Sequence, residues 1–169
     1  MKRERIYFAH TVNSYNTDLE QELLKLCRDF FKGIDVENPN QPHHQKGYRT
    51  WKERYKNHPY KSGMTYFYEK VLPKCNKCVC QIFLDGKWGA GVAHEAAFYI
   101  KKNQPVWVIE PKTREIRLIT EEEKSLIANN DSALVLSIEE TRARIWGDRK
   151  PYVDKPVPYE QAHLVKYDK

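Results

Sequence analysis

The stretch Phe83-Leu-Asp-Gly-Lys-Trp-Gly-Ala-Gly-Val-Ala-His-Glu-Ala-Ala-Phe98 decides how the rest of the chain is read. Before it, Val79 to Leu84 is a short apolar run with Cys80, Ile82, Phe83 and Leu84, the pattern of a mostly buried strand. Asp85-Gly86 ends that strand. Gly89 and Gly91 allow a ligand to approach the backbone closely, because no side chain stands in the way. From Ala90 the apolar residues recur at Val92, Ala93, Ala96, Ala97 and Ile100, which is helical spacing, and Asn103-Gln104-Pro105 stops the helix. Pro105 to Ile109 is the next strand. The result is a β-α-β unit, whose strands are parallel and whose crossover is right-handed. Ligands in such sheets sit at the carboxyl ends of the strands, where Asp85 and Glu95 fall.

Working outward, Arg5 to Ala9 reads as a first strand and His10 to Thr17 as a polar loop. Thr17 or Asp18 caps an amphipathic helix to about Lys32, with Leu19, Leu23, Leu26, Cys27, Phe30 and Phe31 on one side. Gly33 closes that helix, and Ile34 to Val36 is a second short strand. Met64 to Leu72 is predicted helical and Glu115 to Ile119 an edge strand. A short helix over Glu121 to Ala128, a strand over Ala133 to Ser137 and a helix from Ile138 to Trp146 complete the pattern. Alternating strands and helices predict an α/β three-layer domain with a mainly parallel sheet of about five strands, spanning residues 1–147. Residues 148–169 carry three prolines and three tyrosines without periodicity, and read as an extended tail lying on this or a neighbouring subunit.

Residues 41–63 break the rhythm. Six basic residues stand there against one acid, Glu53, so the segment holds most of the net charge of +6. Tyr48, Trp51, Tyr55 and Tyr60 interleave with them. Arg49, Glu53 and Lys56 could share one face of a short helix, but the flanks look like loop. Long insertions of this kind are commonly functional or disordered. The expectation is a mobile flap in which Arg49, Arg54 and Trp51 meet an anionic, phosphate-bearing ligand.

With 169 residues, one domain with one core is expected. No apolar run has the length of a membrane span and none reads as a signal peptide, so a cytoplasmic location without membrane contact is expected. The basic balance favours an anionic small molecule, with nucleic acid a weaker possibility. Cys75-Asn-Lys-Cys78-Val-Cys80 contains a C-x2-C spacing used by zinc sites. There is no second pair, however. Cys78 and Cys80 are two apart on a strand, and Cys27 sits on an apolar helix face. Packing thiols, no metal, no disulfide and no cofactor are therefore expected.

A carboxylate in the first turns of a helix lies in a field that favours its ionised form. Facing a sugar C1, such a group can act as a nucleophile or stabilise oxocarbenium-like charge. Glu95 fits that role, with Asp85 across the same turn to hold or protonate a leaving group. His94 points about 100° away from its neighbour on a helix and reads as a surface residue. His10, ending the first strand, is the better histidine candidate.

Arg5-Ile-Tyr-Phe-Ala9, Asp35-Val-Glu-Asn-Pro39, Asp85-Gly86, Gly91-Val-Ala-His-Glu95 and Pro105-Val106 together resemble the nucleoside 2-deoxyribosyltransferase-like superfamily over roughly residues 5–110. The resemblance implies a flavodoxin-like, doubly wound sheet and cleavage or transfer at the N-glycosidic bond of a nucleoside or nucleotide. It implies Glu95 as catalytic nucleophile, Tyr7 as the residue orienting it and Asp85 facing the base. His10, Asn13, Gly86, Gly89 and Gly91, with Arg49, Arg54 and Trp51 from the insertion, complete the expected substrate-binding set, and a homo-oligomer is the expected assembly. The sequence departs from the superfamily pattern at Ala9-His10-Thr11, where Gly-Pro is usual, and at Lys87 to Ala90, where a further Asp is usual. A non-catalytic nucleotide-sensing module with the same crevice is the second reading. RNA binding through residues 41–63 is a third, with no recognised module signature behind it.

Overall fold

The structure, a computed structural model, describes residues 3–147 and 155–167. Five strands form one sheet in the order β2-β1-β3-β4-β5. They are β1 (Arg5–Ala9), β2 (Asp35–Glu37), β3 (Lys77–Gln81), β4 (Val106–Ile109) and β5 (Ile116–Leu118). The first four run parallel, and β5 returns antiparallel along the outer edge of β4. This is the flavodoxin-like strand order with its last strand reversed. The reversal follows from chain length: six residues separate β4 from β5, too few for a parallel crossover.

The pleat divides the strand residues between two cores. Ile6, Phe8, Val79 and Ile109 point to one face, where α1 (Asp18–Phe30) covers them with Leu23, Leu24 and Cys27. Tyr7, Ala9, Cys78, Cys80, Val106 and Val108 point to the other. There α3 (Ala90–Lys101) lays down Val92, Ala93, Ala96 and Tyr99, and α4 (Glu121–Ala128) adds Ile127. Small side chains on α3 let it approach the sheet closely. The expected thiols are packing groups: all four cysteines are buried, and the Cys78 and Cys80 sulfurs lie 3.5 Å apart on one face of β3. Local chemistry fixes the helix starts. Thr17 accepts a hydrogen bond from Glu20 N, and Thr120 forms a reciprocal capping box with Glu123.

Two expectations are corrected and one is refined. Residues 41–63 are not a flap of loop; α2 (Pro42–Arg54) is a helix of more than three turns, begun by Pro42 at its first position. Its Gly47 is required, because a Cβ there would come within 2.3 Å of the Tyr66 ring packed against it. Residues 64–72 are helical as expected but irregular: one turn leads into a π-helix over Phe67–Val71, and a 3-10 turn over Leu72–Lys74 follows. Ala133 to Ser137 is not a strand. It makes a single parallel bridge from Val135 to Trp88, a fully buried tryptophan in the loop before α3. The apolar run there is spent on packing over that loop rather than on joining the sheet.

α5 (Ile138–Trp146) follows, and α6 (Tyr159–Ala162) lies in the C-terminal segment. That segment is not wholly extended. Tyr159 and Ala162 are buried with Phe83, Leu136 and Ile145 of the same chain, and the Tyr159 hydroxyl donates to the Ile82 carbonyl. Residues 148–154, 168 and 169 of the expected tail lie outside the described residues. No helix among the described residues is long and apolar enough to cross a membrane.

Candidate functional site

The strand order reverses between β1 and β3, and at the carboxyl ends of these two strands lies a cavity of about 150 Å³. Glu95 and Tyr7 line it together with His10, Gly89 and Gly91. Five of the expected site residues are therefore brought to one place by four different segments. Tyr7 comes from β1, His10 from the loop after it, Gly89 from the turn before α3, and Gly91 and Glu95 from α3. The α3 N-terminus carries no side-chain cap of its own; instead Thr141 of α5 accepts from Ala90 N at 2.9 Å. That bond fixes where α3 begins and so where Glu95 lies.

Glu95 is 6% exposed, and its Oε2 has no hydrogen-bond partner among the described residues. It is the sixth residue of α3, beyond the first turn where the helix field is useful. Burial therefore wins. Desolvation pushes the Glu95 carboxyl up to about 8, against an opposing pull from the Tyr7 hydroxyl. The ionised carboxylate expected from helix position is corrected: at neutral pH most of the group holds its proton. The neighbouring phenols stay neutral as well. Burial, reinforced by Glu95, drives both Tyr7 and Tyr15 well above the ordinary tyrosine range. Gly91 faces open space, with nothing within 4 Å of where a Cβ would stand, so the cavity side of α3 is accessible to a ligand.

His10 is held rather than free. Its ring stacks on Phe8 at 4.1 Å, Nδ1 lies 3.1 Å from the Phe8 carbonyl oxygen, and Nε2 lies 2.7 Å from Glu20 Oε2. Both nitrogens face oxygen partners, so the ring is held at both edges. Burial acts to raise the Glu20 carboxyl, but hydrogen bonds from His10 and Asn40 outweigh it and hold Glu20 below its usual value. His10 thus borders the cavity with a ring that is buried and held in place on both nitrogens.

The remaining expected residues are placed elsewhere. Asp85 does not line the Glu95 cavity. It forms a two-pronged ion pair with Arg144, Arg144 Nη1 to Oδ1 at 2.8 Å and Nη2 to Oδ2 at 2.7 Å. With Gly86, whose positive φ makes the turn, it borders a separate groove at the ends of β3 and β4. Asn13 donates to the Val157 carbonyl at 3.1 Å and so ties down the C-terminal segment. Arg49 and Arg54 are exposed on α2 and Trp51 half-exposed; Arg54 covers the Trp51 ring at 4.5 Å, and Trp51 leans on Tyr66. None of the three lines the cavity. His94 is exposed, as its helix position implied.

Sequence reasoning missed Thr11, Tyr15, Phe67 and Thr141, which line the cavity, and Gln81, which braces its loop. Gln81 Oε1 accepts from Ser14 Oγ at 2.9 Å and from Thr11 N at 3.3 Å. The polar loop after β1 was a usable signal for Thr11 and Tyr15; nothing in the sequence pointed to Thr141.

No protein-family model matches this chain, and no curated protein matches it significantly. Among solved structures it is similar to a conserved protein from Enterococcus faecalis V583. The two share 23% identity, with 78% of this chain and 77% of that one covered and a TM-score of 0.41.

Chemically, the cavity offers one buried carboxyl group flanked by two phenols, a hydroxyl at Thr141, an apolar wall and an open approach over Gly91. A group of this kind donates a proton when neutral and attacks an electrophilic carbon once ionised.

Proposed function

We propose that this protein cleaves, or transfers a sugar at, the N-glycosidic bond of a nucleoside or nucleoside 5′-monophosphate, with Glu95 as nucleophile. The observation that carries this reading is the meeting of Glu95 and Tyr7 in one cavity at the sheet's switch point, beside a glycine that leaves room for the ligand. Glu95 first gives its proton to solvent. Its carboxylate then bonds to the sugar C1 as the C1–N bond breaks, and the base departs with the bonding pair and takes a proton from water. Water or a second base then attacks C1 and frees the carboxylate. The Tyr7 hydroxyl stabilises the ionised Glu95 through this cycle. The cavity is matched to a sugar rather than to a whole nucleotide, so base and phosphate extend beyond it. Asp85, occupied by Arg144, has no part in the step. The exposed side chains of Phe30 and Leu118 are consistent with a homo-oligomer, which light scattering would check.

The second reading, a nucleotide-binding module without turnover, draws support from the same Asp85–Arg144 pair, since no second acid lines the cavity among the described residues. One experiment separates them. A panel of nucleosides and their 5′-monophosphates is incubated with the protein at pH 7 and pH 9, following free base by chromatography and binding by calorimetry. Base release that is faster at pH 9 supports the enzyme. Binding without release at either pH supports the module, and absence of both removes the two readings together.

A further inference from the structure

We propose that Glu37, His43 and His44 form a site for a divalent transition metal, zinc being the best match, separate from the Glu95 cavity. Their candidate ligand atoms, one carboxylate oxygen and two imidazole nitrogens, all lie within 4.8 Å of one another. The site departs from the expectation of no metal, which rested on the cysteines, and it does not depend on the proposed chemistry at Glu95.

The fold brings these residues together. Glu37 is the last residue of β2, and His43 and His44 stand in the first turn of α2, directly after Pro42. The short connection is pinned by Asn40 N to Asn38 Oδ1 at 2.9 Å and Gln41 Nε2 to the Asn38 carbonyl at 2.7 Å. Consecutive helical residues ordinarily diverge by about 100°. Here the two imidazole centroids are only 4.0 Å apart, so both rings turn toward Glu37.

His44 is already held in the manner of a metal ligand. It is 6% exposed, its Nε2 meets Glu37 Oε1, and its Nδ1 lies 2.9 Å from the Tyr66 hydroxyl. A ligating histidine typically donates its other N–H to an oxygen, which sets the tautomer and ring orientation. A cation bound at Nε2 replaces the hydrogen bond to Glu37 by a shared ion, with the ring proton carried on Nδ1 and donated to Tyr66. Tyr66 owes its position to Gly47, whose missing Cβ leaves space for the ring.

Zinc held by bonds of about 2.0–2.2 Å in a tetrahedron sets its ligand atoms about 3.3 Å apart. No pair of candidate atoms is more than 4.8 Å apart, so closure by at most about 1.5 Å is needed, within reach of the exposed His43 ring, while the His44–Glu37 pair, now in hydrogen-bond contact, opens to admit the ion. Two imidazoles and one carboxylate with a fourth position open is the donor set of a reactive zinc site rather than a closed structural one. Magnesium and calcium prefer all-oxygen surroundings. Arg5, Lys70 and Lys74 line the same cavity of about 320 Å³, and Arg5 Nη1 stands 4.0 Å from Glu37 Oε2. These charges weaken the hold on a bare cation and draw hydroxide or an anion into the fourth position.

The test titrates CoCl2 and ZnCl2 separately into chelator-treated full-length chain, following cobalt by its visible absorption and zinc by calorimetry. One equivalent is expected, with Kd of about 10 µM or tighter and the intense cobalt bands of four-coordination. His43→Ala, at an exposed position that should not disturb folding, is expected to weaken binding at least about tenfold, and Glu37→Gln similarly. Cys75→Ser is expected to leave it unchanged. No binding up to about 1 mM metal, or binding that survives His43→Ala intact, overturns the proposal; loss with Cys75→Ser alone moves the metal to the cysteines and overturns it as well.

Discussion

Replacing Glu95 by Gln keeps the shape of the side chain and removes its charge, so it isolates the cost of ionising a buried carboxyl. In the folded chain the group is raised from 4.5 to about 8 by desolvation. The folded state therefore holds a proton that the unfolded state has released across this window. Stability from this group is at its full value below about pH 4.5 and declines as pH rises toward 8, the opposite of a salt-bridged carboxylate. Each pKa unit corresponds to about 1.4 kcal/mol, so the whole gap amounts to on the order of 5 kcal/mol, less whatever the cavity recovers by admitting water. Glu95→Gln cannot suffer that decline. At pH 5 the variant should match the wild type within about 1 kcal/mol, and at pH 9 it should be more stable by a few kcal/mol. Urea unfolding at both pH values, compared at unchanged m-value, reads the difference. A stability difference that is the same at pH 5 and pH 9 would refute the claim that Glu95 is neutral in the folded protein. The same variant should show no base release, whichever way its stability moves.

Tyr7→Phe removes the hydroxyl that opposes the Glu95 shift, so the pH profile of kcat/KM should keep its shape and move to higher pH; an unmoved profile would separate the two residues. Gly91→Ala should fold with equal or slightly greater stability, by up to about 1 kcal/mol, because a Cβ there meets nothing. Gly91→Leu should fold but lose ligand affinity, measured by calorimetry with the best ligand of the panel. Asp85→Asn should change turnover less than about threefold and cost about 1 kcal/mol in urea unfolding, as expected for a partly exposed bidentate pair with Arg144. Arg49→Ala with Arg54→Ala should leave any preference for a 5′-phosphate unchanged, since both stand on α2 away from the cavity.

The central β-α-β unit was legible because its signals are local and agree. A buried strand, a breaker at Asp85-Gly86, helical spacing from Ala90 and a stop before Pro105 all occur within about thirty residues of one another, and each level supports the next. α2 was harder to read for a physical reason. His44 is its one buried residue, and Gly47 lies mid-helix, so neither an apolar stripe nor propensity announces it. Its stability comes from contacts with residues that follow it, chiefly Tyr66 under Gly47, and such contacts have no local pattern. Ala133 to Ser137 failed in the opposite sense. The apolar run is real, but Trp88 and Phe83 offered it a packing surface outside the sheet.

The site separates along the same line. Position along the chain was enough to put Glu95, Tyr7, His10, Gly89 and Gly91 at one edge of the sheet, because the ends of parallel strands converge there whatever the side chains are. Charge state was not readable in this way. Helix position alone argues for an ionised Glu95, and a first-turn carboxylate gains at most about 1–2 kcal/mol from the helix field. Full burial costs more than that. The enclosing groups come from β1, the loop after it, the Phe67 turn and α5, as many as 88 residues away in sequence from Glu95 itself. Asp85 shows the converse. Its sequence position favoured a role in the site, but Arg144, 59 residues later, captures it with two hydrogen bonds. A carboxyl group's job in this fold is set by what the distant segments bring against it: an apolar wall makes Glu95 a proton holder, and a guanidinium makes Asp85 a strut. If Glu95 is the nucleophile, its raised pKa limits the reactive fraction at pH 7 to roughly a tenth, and the ligand must raise that fraction by offering the hydrogen bonds that the unpartnered Oε2 lacks.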